Sequence, residues 1–156
     1  MSQLKTLKTE LTAELQSILN YWMEETVDEN HEGFIGQIDY KNQKNNQSEK
    51  GSVLNARILW SFAAAHQLNN NPDYKKTAKR AFEYIEKYFY NPETGGIYWS
   101  INADGTPKDT KNQIYAIAFV IYGMTEYYAI SKEEKALNIA IHLYQKIQEF
   151  SYDPIN

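Results

Sequence analysis

Five segments of the chain carry hydrophobic residues at the three- and four-residue spacing of a helix, and these segments are of two kinds. Three of them have an apolar stripe and a polar back, in residues 4–22, 74–89 and 136–147. The other two, residues 53–68 and 114–130, are apolar on nearly every side and need protein all around them. We therefore expect helices in the order outer, inner, outer, inner, outer.

Capping residues indicate where two outer helices begin. Asn71 is a suitable N-cap, and Pro72 follows it at the first helical position. Ser131 and Glu134 have the spacing of a capping box, which predicts that the last outer helix opens at Ser131. The connections from an inner helix to the next outer helix are therefore only a few residues long.

The connections from an outer to an inner helix are long and rich in Gly, Asn and Asp. Each of the first two contains a short strand-like run, at residues 33–38 and 96–101, which is typical of a small β-hairpin. The two runs are related by an internal repeat of about 63 residues, in which Gly33 matches Gly96. Asn91-Pro92 recurs in the same way as Asp153-Pro154.

This repeat of outer helix, hairpin-bearing loop and inner helix predicts an all-α, double-layered ring of helix pairs. A helical solenoid of the tetratricopeptide type has a repeat of about 34 residues, which is too short for this loop. We expect residues 1–156 to form one partial domain of about two and a half helix pairs. Because these cannot close a ring, the chain is expected to be the N-terminal part of a longer protein or to self-associate through its exposed inner helices.

Composition excludes several classes of function. The sequence has no Cys, which rules out disulfide frameworks, zinc fingers and thiol nucleophiles. A net charge of −4 argues against a nucleic-acid or anionic-membrane partner. The N-terminal residues lack the apolar core of a leader, and no segment has the unbroken apolar length of a membrane span, so a soluble, cytoplasmic protein is expected.

Two residues stand out near the N-terminal ends of the inner helices, where a ring of helices opens to solvent. Arg57 lies in the first turns of one inner helix and Tyr115 at the matching end of the other. A guanidinium there needs an oxygen-rich partner, either a ligand or a loop carboxylate such as Asp39 or Asp109. Tyr115 either meets a ligand or packs in the core with its hydroxyl satisfied.

Other candidate chemistry is weak. The three histidines, His31, His66 and His142, do not have metal-ligand spacing, so we expect no metal site. No phosphate-binding glycine loop or nucleophile elbow is present. Four loop carboxylates are candidates for glycoside hydrolysis, although their separation cannot be predicted: Asp28, Asp39, Asp104 and Asp109.

Several motifs together resemble the N-acylglucosamine 2-epimerase family, and within it the cellobiose 2-epimerase branch. The most specific is KGSVLNARILWSF at residues 50–62, followed by NPETGG at 91–96 with Tyr98-Trp99. KNQIYAIAF at residues 111–119 and the closing YDP at 152–154 extend the resemblance over essentially the whole chain.

The resemblance implies an (α/α)6 barrel, of which this chain is the N-terminal portion, and a cofactor-independent epimerisation of a reducing-end sugar at C2. In such a reaction histidines remove and return a proton through an ene-diolate. Arg57 and Tyr115 match the family's substrate-binding Arg and Tyr. The resemblance places the catalytic histidines on later helices, beyond Asn156, and none of the three histidines present matches them. This chain by itself is therefore expected to contain no catalytic residue and to be inactive.

Three interpretations remain open at this point. The first is an epimerase portion, which predicts dependence on Arg57 and Tyr115. The second is another sugar enzyme of the same barrel class, such as a mannose-type aldose–ketose isomerase or a glycosidase. The third is a non-enzymatic helical module that forms a stable oligomer and binds no sugar.

Overall fold

The computed structural model describes residues 3–151 and 153. Its helices, within those residues, are α1 (Gln3–Glu25), α2 (Ser52–Asn69), α3 (Pro72–Tyr84), α4 (Ile114–Ser131) and α5 (Glu134–Ser151). Its strands are two or three residues long: β1 (Gln37–Ile38), β2 (Lys44–Asn45), β3 (Lys50–Gly51), β4 (Tyr90–Asn91), β5 (Gly96–Ile97), β6 (Ser100–Ile101) and β7 (Pro107–Asp109). The predicted all-α architecture with small hairpins in the long loops is confirmed.

The two inner helices, α2 and α4, lie side by side and run in the same direction. Trp60 stacks on Tyr122 with ring centroids 5.1 Å apart, and further along Gln67 donates a hydrogen bond to Glu126. The helices touch at Gly123, where an added Cβ would lie 2.8 Å from the carbonyl oxygen of Ala56. This close approach explains why an apolar helix carries a glycine in its middle.

The outer helix α3 packs on the inner pair through buried Tyr74, Ala78 and Phe82. Its start agrees with the prediction, since the Asn71 side chain accepts a hydrogen bond from the Asp73 N–H at 2.9 Å. The helix ends earlier than its stripe predicts. After Tyr84 the chain continues as a π-helical turn, Ile85–Phe89, which keeps the apolar residues buried but widens the winding.

The predicted capping box at Ser131 is wrong. Ser131 is the last residue of α4, and Lys132 ends that helix in the left-handed conformation with φ 59°. The Ser131 hydroxyl accepts a hydrogen bond from the N–H of Glu133, and α5 begins at Glu134. The serine therefore stabilises the turn between the helices, because the left-handed residue separates it from α5.

The strands join the two long loops above the N-terminal ends of α2 and α4. β1 pairs with β2, and β4 with β5, as local hairpins. β6 pairs with β3 from the other loop and with β7, forming a three-stranded sheet that was not predicted. The N–H and hydroxyl of Ser52 both donate to the carbonyl oxygen of Trp99, so this sheet is fixed to the first residue of α2.

A buried ion pair anchors the first long loop. The Lys50 ammonium lies 2.8 Å from the Asp28 carboxylate, and each side chain is only 1% exposed. Lys50 also donates to the carbonyl oxygen of Glu32 at 2.9 Å and lies 5.0 Å from the centre of the Tyr84 ring. Arg80 of α3 donates to the carbonyl oxygens of Gly33 and Asp28, which ties the same loop to the outer layer.

The apolar stripe of α1 is largely uncovered. Only the C-terminal part of the helix joins the core, where Leu19 is buried and Trp22 and Met23 pack against it. The remaining stripe residues are between 43% and 78% exposed, and we call them the α1 stripe: Leu4, Leu7, Leu11, Leu15 and Ile18. The amphipathic pattern thus predicts the helix correctly, while nothing among the described residues packs on most of its apolar side.

We expect the isolated chain to associate through the α1 stripe and to bind hydrophobic dyes, since exposed apolar patches of this kind promote association. The double substitution Leu11→Glu with Leu15→Glu should lower both the average mass in light scattering and the dye fluorescence. Thr9→Glu with Ala13→Glu adds the same charges at the same spacing on the polar side of α1 and serves as the control. A monodisperse parent chain that ignores such dyes would contradict this expectation.

The prediction that no segment is long and apolar enough to span a membrane is wrong. Within the described chain, α4 is the one helix whose length and apolar composition would allow it to cross a membrane. In the structure it packs between α2 and α5, with Ala116, Val120 and Met124 buried.

The third copy of the repeat is described through its outer helix, α5, but not through its closing motif. Of the closing motif at 152–154, only Asp153 is described. Asn156, the residue beyond which the catalytic histidines were predicted to lie, is also outside them. Their placement on later helices therefore stays a prediction.

Candidate functional site

The Arg57 side chain is exposed. It lies in the second turn of α2, and no carboxylate or carbonyl among residues 3–151 and 153 binds its guanidinium. The carboxylates considered as partners are engaged elsewhere: Asp39 accepts hydrogen bonds from the N–H groups of Lys41 and Gln43, and Asp109 accepts one from that of Lys111. Internal pairing of Arg57 is therefore excluded within this part of the chain.

Tyr115 is also exposed, at 59%, so the alternative of core packing is wrong for this chain. It lies at the start of α4, and its ring meets the edge of the Phe119 ring, with centroids 4.9 Å apart. Its hydroxyl has no partner among the described residues. Both predicted site residues thus lie near the N-terminal ends of two parallel helices, and their polar groups have no partner within the part of the chain that the structure describes.

A strip of aromatic side chains continues from these residues along the inner helices. Trp60 lies three residues after Arg57, and Tyr122 lies seven after Tyr115, so each pair shares a helix face. We call Trp60, Tyr115, Phe119 and Tyr122 the aromatic strip. Trp60 has a further feature: its indole N–H is buried under the stack without a hydrogen-bond partner in the described structure.

Trp60 and Tyr122 were not singled out from the sequence. Their spacing from Arg57 and Tyr115 is the signal that could have found them. This spacing becomes informative only once α2 and α4 are known to run parallel. In the sequence alone, an aromatic residue of an all-apolar helix that faces a ligand looks the same as one that packs in the core.

The histidines lie apart from Arg57 and the aromatic strip. His66, at the C-terminal end of α2, binds the carbonyl oxygen of Asn71 through Nδ1 at 2.8 Å. His142 of α5 is hydrogen-bonded to the Tyr90 hydroxyl at 2.6 Å, and His31 lies 3.5 Å from Asp28 in the first loop. Each imidazole therefore contacts a structural partner, and none stands beside Arg57.

The loop carboxylates also hold local structure. Asp28 is buried with Lys50, while Asp39 and Asp109 fix turns as described above. Asp104 accepts hydrogen bonds from both the hydroxyl and the N–H of Thr106, and these bonds lower its pKa. Each of the four therefore has a local structural role within the described residues.

A cavity of about 410 Å³ opens between the two long loops at the N-terminal end of α2, and we call it the mouth pocket. The chain approaches itself closely there, because a Cβ on Gly36 would overlap the carbonyl oxygen of Glu49. Beside Gly36 and Gly51, the lining consists of six residues: Gln37, Ser48, Glu49, Val53, Trp99 and Ser100.

Comparison with known proteins finds a matching family and relatives of known activity. The profile of the N-acylglucosamine 2-epimerase (GlcNAc 2-epimerase) family matches residues 33–154. A cellobiose 2-epimerase of Bacteroides fragilis is 45% identical over 148 residues, which cover 94% of this chain and 38% of that protein. This chain therefore spans about two-fifths of the length of that relative.

Solved structures of sugar epimerases and isomerases also resemble this chain over part of their length. Cellobiose 2-epimerase from Bacillus thermoamylovorans B4167 superimposes with a TM-score of 0.93 at 30% identity, covering 97% of this chain and 39% of that one. A D-mannose isomerase, at 22% identity and a TM-score of 0.83, shares the fold over 94% of this chain and 36% of its own. These neighbours are α/α barrel enzymes, so the predicted partial barrel is confirmed. Sequence and fold agree, and the chain belongs to the N-acylglucosamine 2-epimerase family.

Proposed function

We propose that this chain forms the first two and a half helix pairs of an enzyme that epimerises C2 of a reducing-end sugar in a cellobiose- or lactose-like disaccharide. The observation that carries the proposal is Arg57, an exposed guanidinium without a partner among the described residues, three residues before Trp60 of the aromatic strip. The 45% identity to a cellobiose 2-epimerase supports the choice of substrate.

Arg57 would hold substrate oxygens and the negative charge that develops on them. Removing the proton at C2 turns the aldehyde and its neighbouring hydroxyl into an ene-diolate, whose oxygens carry the charge. A guanidinium offers five N–H donors in a planar fork, which suits two adjacent oxygens. Because no internal acceptor satisfies those donors in the described chain, they are available to stabilise the charge as it forms.

Tyr115 and the aromatic strip would orient the sugar. A pyranose ring presents C–H groups on its faces and hydroxyls at its edge. Aromatic side chains bind such a face, and the free Tyr115 hydroxyl can bond an edge hydroxyl. The reducing-end ring opens to its aldehyde before C2 reacts, with the proton of the C1 hydroxyl passing to the ring oxygen. Holding the opened sugar then fixes which face of C2 meets the incoming proton, and this choice decides the stereochemical outcome.

The proton-transfer groups have to come from outside the residues assigned here. A general base working near neutral pH needs a suitable pKa and must reach C2, and imidazole meets the first requirement unaided. In the described structure His66 and His142 are hydrogen-bonded elsewhere and His31 lies beside Asp28, so we assign the transfer to none of these three. The chain is thus proposed to supply substrate binding rather than the acid and base.

The test is incubation of the full-length protein from its native gene with cellobiose in D₂O, followed by NMR. The expected product is the mannose-ended disaccharide with deuterium at C2, because an ene-diolate exchanges its proton with solvent. A ketose product would instead support the aldose–ketose isomerase interpretation. The purified 156-residue chain should show no turnover in the same assay, and measurable conversion by it would overturn the assignment of roles.

A further inference from the structure

The two inner helices meet at a glycine whose neighbours belong to the proposed site. Gly123 of α4 is buried against α2, and an added Cβ would lie 2.8 Å from the carbonyl oxygen of Ala56. The same Cβ would lie 3.2 Å from a δ-carbon of Leu59. Because protein interiors are closely packed, a side chain at position 123 has to push the two helices apart.

The Ala56 carbonyl in this contact is joined directly to two residues of the site. Its carbon forms the peptide bond to Arg57. Its oxygen is the helical acceptor for the N–H of Trp60, four residues further along α2. On α4, the residue before Gly123 is Tyr122, whose ring stacks on that of Trp60. A displacement of this carbonyl therefore moves Arg57 and Trp60 together, relative to Tyr122.

Glycine is unfavourable for the helix that carries it. Its backbone loses more freedom on folding than that of alanine, so alanine at position 123 would favour α4 as an isolated helix. The benefit of Gly123 is instead the short separation of α2 and α4. The position of the Arg57 backbone relative to the aromatic strip depends on that separation.

We propose that Gly123 is a positioning residue for the sugar reaction, because it holds α2 against α4 and so sets where Arg57 stands relative to the aromatic strip. This inference rests on the proposed function, which it deepens by naming a residue that contacts no substrate but places the group that does. Misplacing a binding group by about 1 Å can lower a rate about 10²-fold, so one added methyl group at this contact is enough to impair the reaction.

A double-mutant cycle in the full-length protein, with cellobiose as substrate, tests the proposal. Gly123→Ala should lower kcat/KM about 10- to 100-fold in the parent background. In the Arg57→Leu background it should lower kcat/KM by about twofold or less, because the guanidinium through which it acts is already gone. The same loss in both backgrounds, or no loss in the parent, would show that Gly123 does not act through Arg57 and would overturn the proposal.

Gly95→Ala is the matched control. Gly95 has a left-handed backbone in the second long loop, and an added Cβ would lie 2.7 Å from the His142 ring of the outer helix α5. This variant should lose stability, as Gly123→Ala does, while its kcat/KM stays within about twofold of the parent. An equal loss of activity in both glycine variants would mean that activity follows stability, and the positioning role would be refuted.

A second variant keeps the test decisive if Gly123→Ala does not fold. Combining it with Leu59→Val adds one methyl group and removes one at the same contact, while the new Cβ still displaces the Ala56 carbonyl. This double variant should show the same loss of kcat/KM, and its failure to fold would mark the contact as structural and end the proposal.

The outcome for the parent protein separates this proposal from the proposed function. A parent that binds cellobiose but forms no epimer refutes the proposed function alone. The cycle is then measured as dissociation constants for cellobiose, with the same pattern expected and the same patterns counting against it. A parent that binds no cellobiose overturns both.

Discussion

Replacing Lys50 by methionine is expected to lower the free energy of unfolding by about 3–5 kcal/mol, the typical cost of removing one partner of a buried ion pair. The substitution removes the ammonium from beside the buried Asp28 carboxylate and leaves the His31 imidazole, 3.5 Å away, as its remaining titratable neighbour. It also removes the hydrogen bond to the carbonyl oxygen of Glu32. Urea unfolding of the parent and the variant measures the difference.

Two further variants separate the charge effect from the loss of packing. Asp28→Asn combined with Lys50→Met removes both charges and keeps an oxygen to accept from the N–H groups of Asn30 and His31. It should recover about half of the stability lost in Lys50→Met or more. Lys87→Met breaks an exposed pair with Glu32 and should cost far less than Lys50→Met does. Similar losses in Lys50→Met and Lys87→Met would contradict the account.

The cost should also depend on pH, and the sign follows from Asp28. Burial would raise the pKa of this carboxyl, but Lys50 and the backbone N–H groups of His31 and Asn30 outweigh it and hold the pKa below its usual value. The parent therefore gains stability that is present above the unfolded pKa of about 3.9 and is lost as pH falls through the folded one.

In Lys50→Met the hydrogen bond and the charge of Lys50 are gone, so we expect the pKa of Asp28 to rise above its value in the parent. Protonation then removes the unpaired charge, so the difference in stability between variant and parent should shrink as the pH is lowered from about 7 to about 4. A difference that stays constant over this range would show that the lost stability is packing and not charge.

The helical layout was predictable because burial on a helix leaves a periodic pattern. The all-apolar segments 53–68 and 114–130 correspond to α2 and α4 within one residue at each end. The internal repeat then defined the helix pair as the unit. The π-helical turn at Ile85–Phe89 escaped prediction because its apolar residues keep a helical spacing while the hydrogen bonds change.

The strand pairing and the buried ion pair were not predictable from the same signals. β3 and β6 are two residues each and come from different loops, so neither shows an alternating pattern. Lysine is almost never fully buried, and nothing local distinguishes Lys50 from the exposed lysines around it. Both features depend on distant parts of the chain meeting, which periodicity along one segment cannot reveal.

For the site, the residues were predicted but their surroundings were not. Arg57 and Tyr115 were identified by their position in a motif and near helix ends, and their role in binding substrate stays a proposal. Reasoning from burial alone favoured an ion pair for Arg57 and core packing for Tyr115. The structure excludes both within the described chain, because the loops satisfy their own carboxylates and α4 turns Tyr115 outward.

Arg57→Leu is expected to lower kcat/KM for epimerisation about 10²- to 10³-fold in the full-length protein, the range seen when a donor to a developing oxyanion is removed. Its free energy of unfolding should change by less than about 0.5 kcal/mol or rise, since the guanidinium gives up no hydrogen bond or ion pair among the described residues. Arg57→Lys keeps the charge but not the planar fork, and should recover only part of the activity. Steady-state kinetics and urea unfolding of the same preparations provide the two measurements.

Arg80, the other arginine of this chain, serves as the control. Its guanidinium is hydrogen-bonded, whereas that of Arg57 has no partner among the described residues. Arg80 donates to the carbonyl oxygens of Gly33 and Asp28, at 3.0 and 2.9 Å. Arg80→Leu removes both bonds and leaves the Asp28 carbonyl without a donor in the described chain, while the Gly33 carbonyl still accepts from the N–H of Asp28. It should therefore cost about 1–3 kcal/mol of stability with little change in KM for the folded enzyme. We expect Arg57→Leu to lose activity but not stability, and Arg80→Leu to lose stability but not activity. This contrast distinguishes a substrate-binding guanidinium from a structural one. If Arg57→Leu instead unfolds the protein, its guanidinium has an internal partner and the proposed role in substrate binding fails.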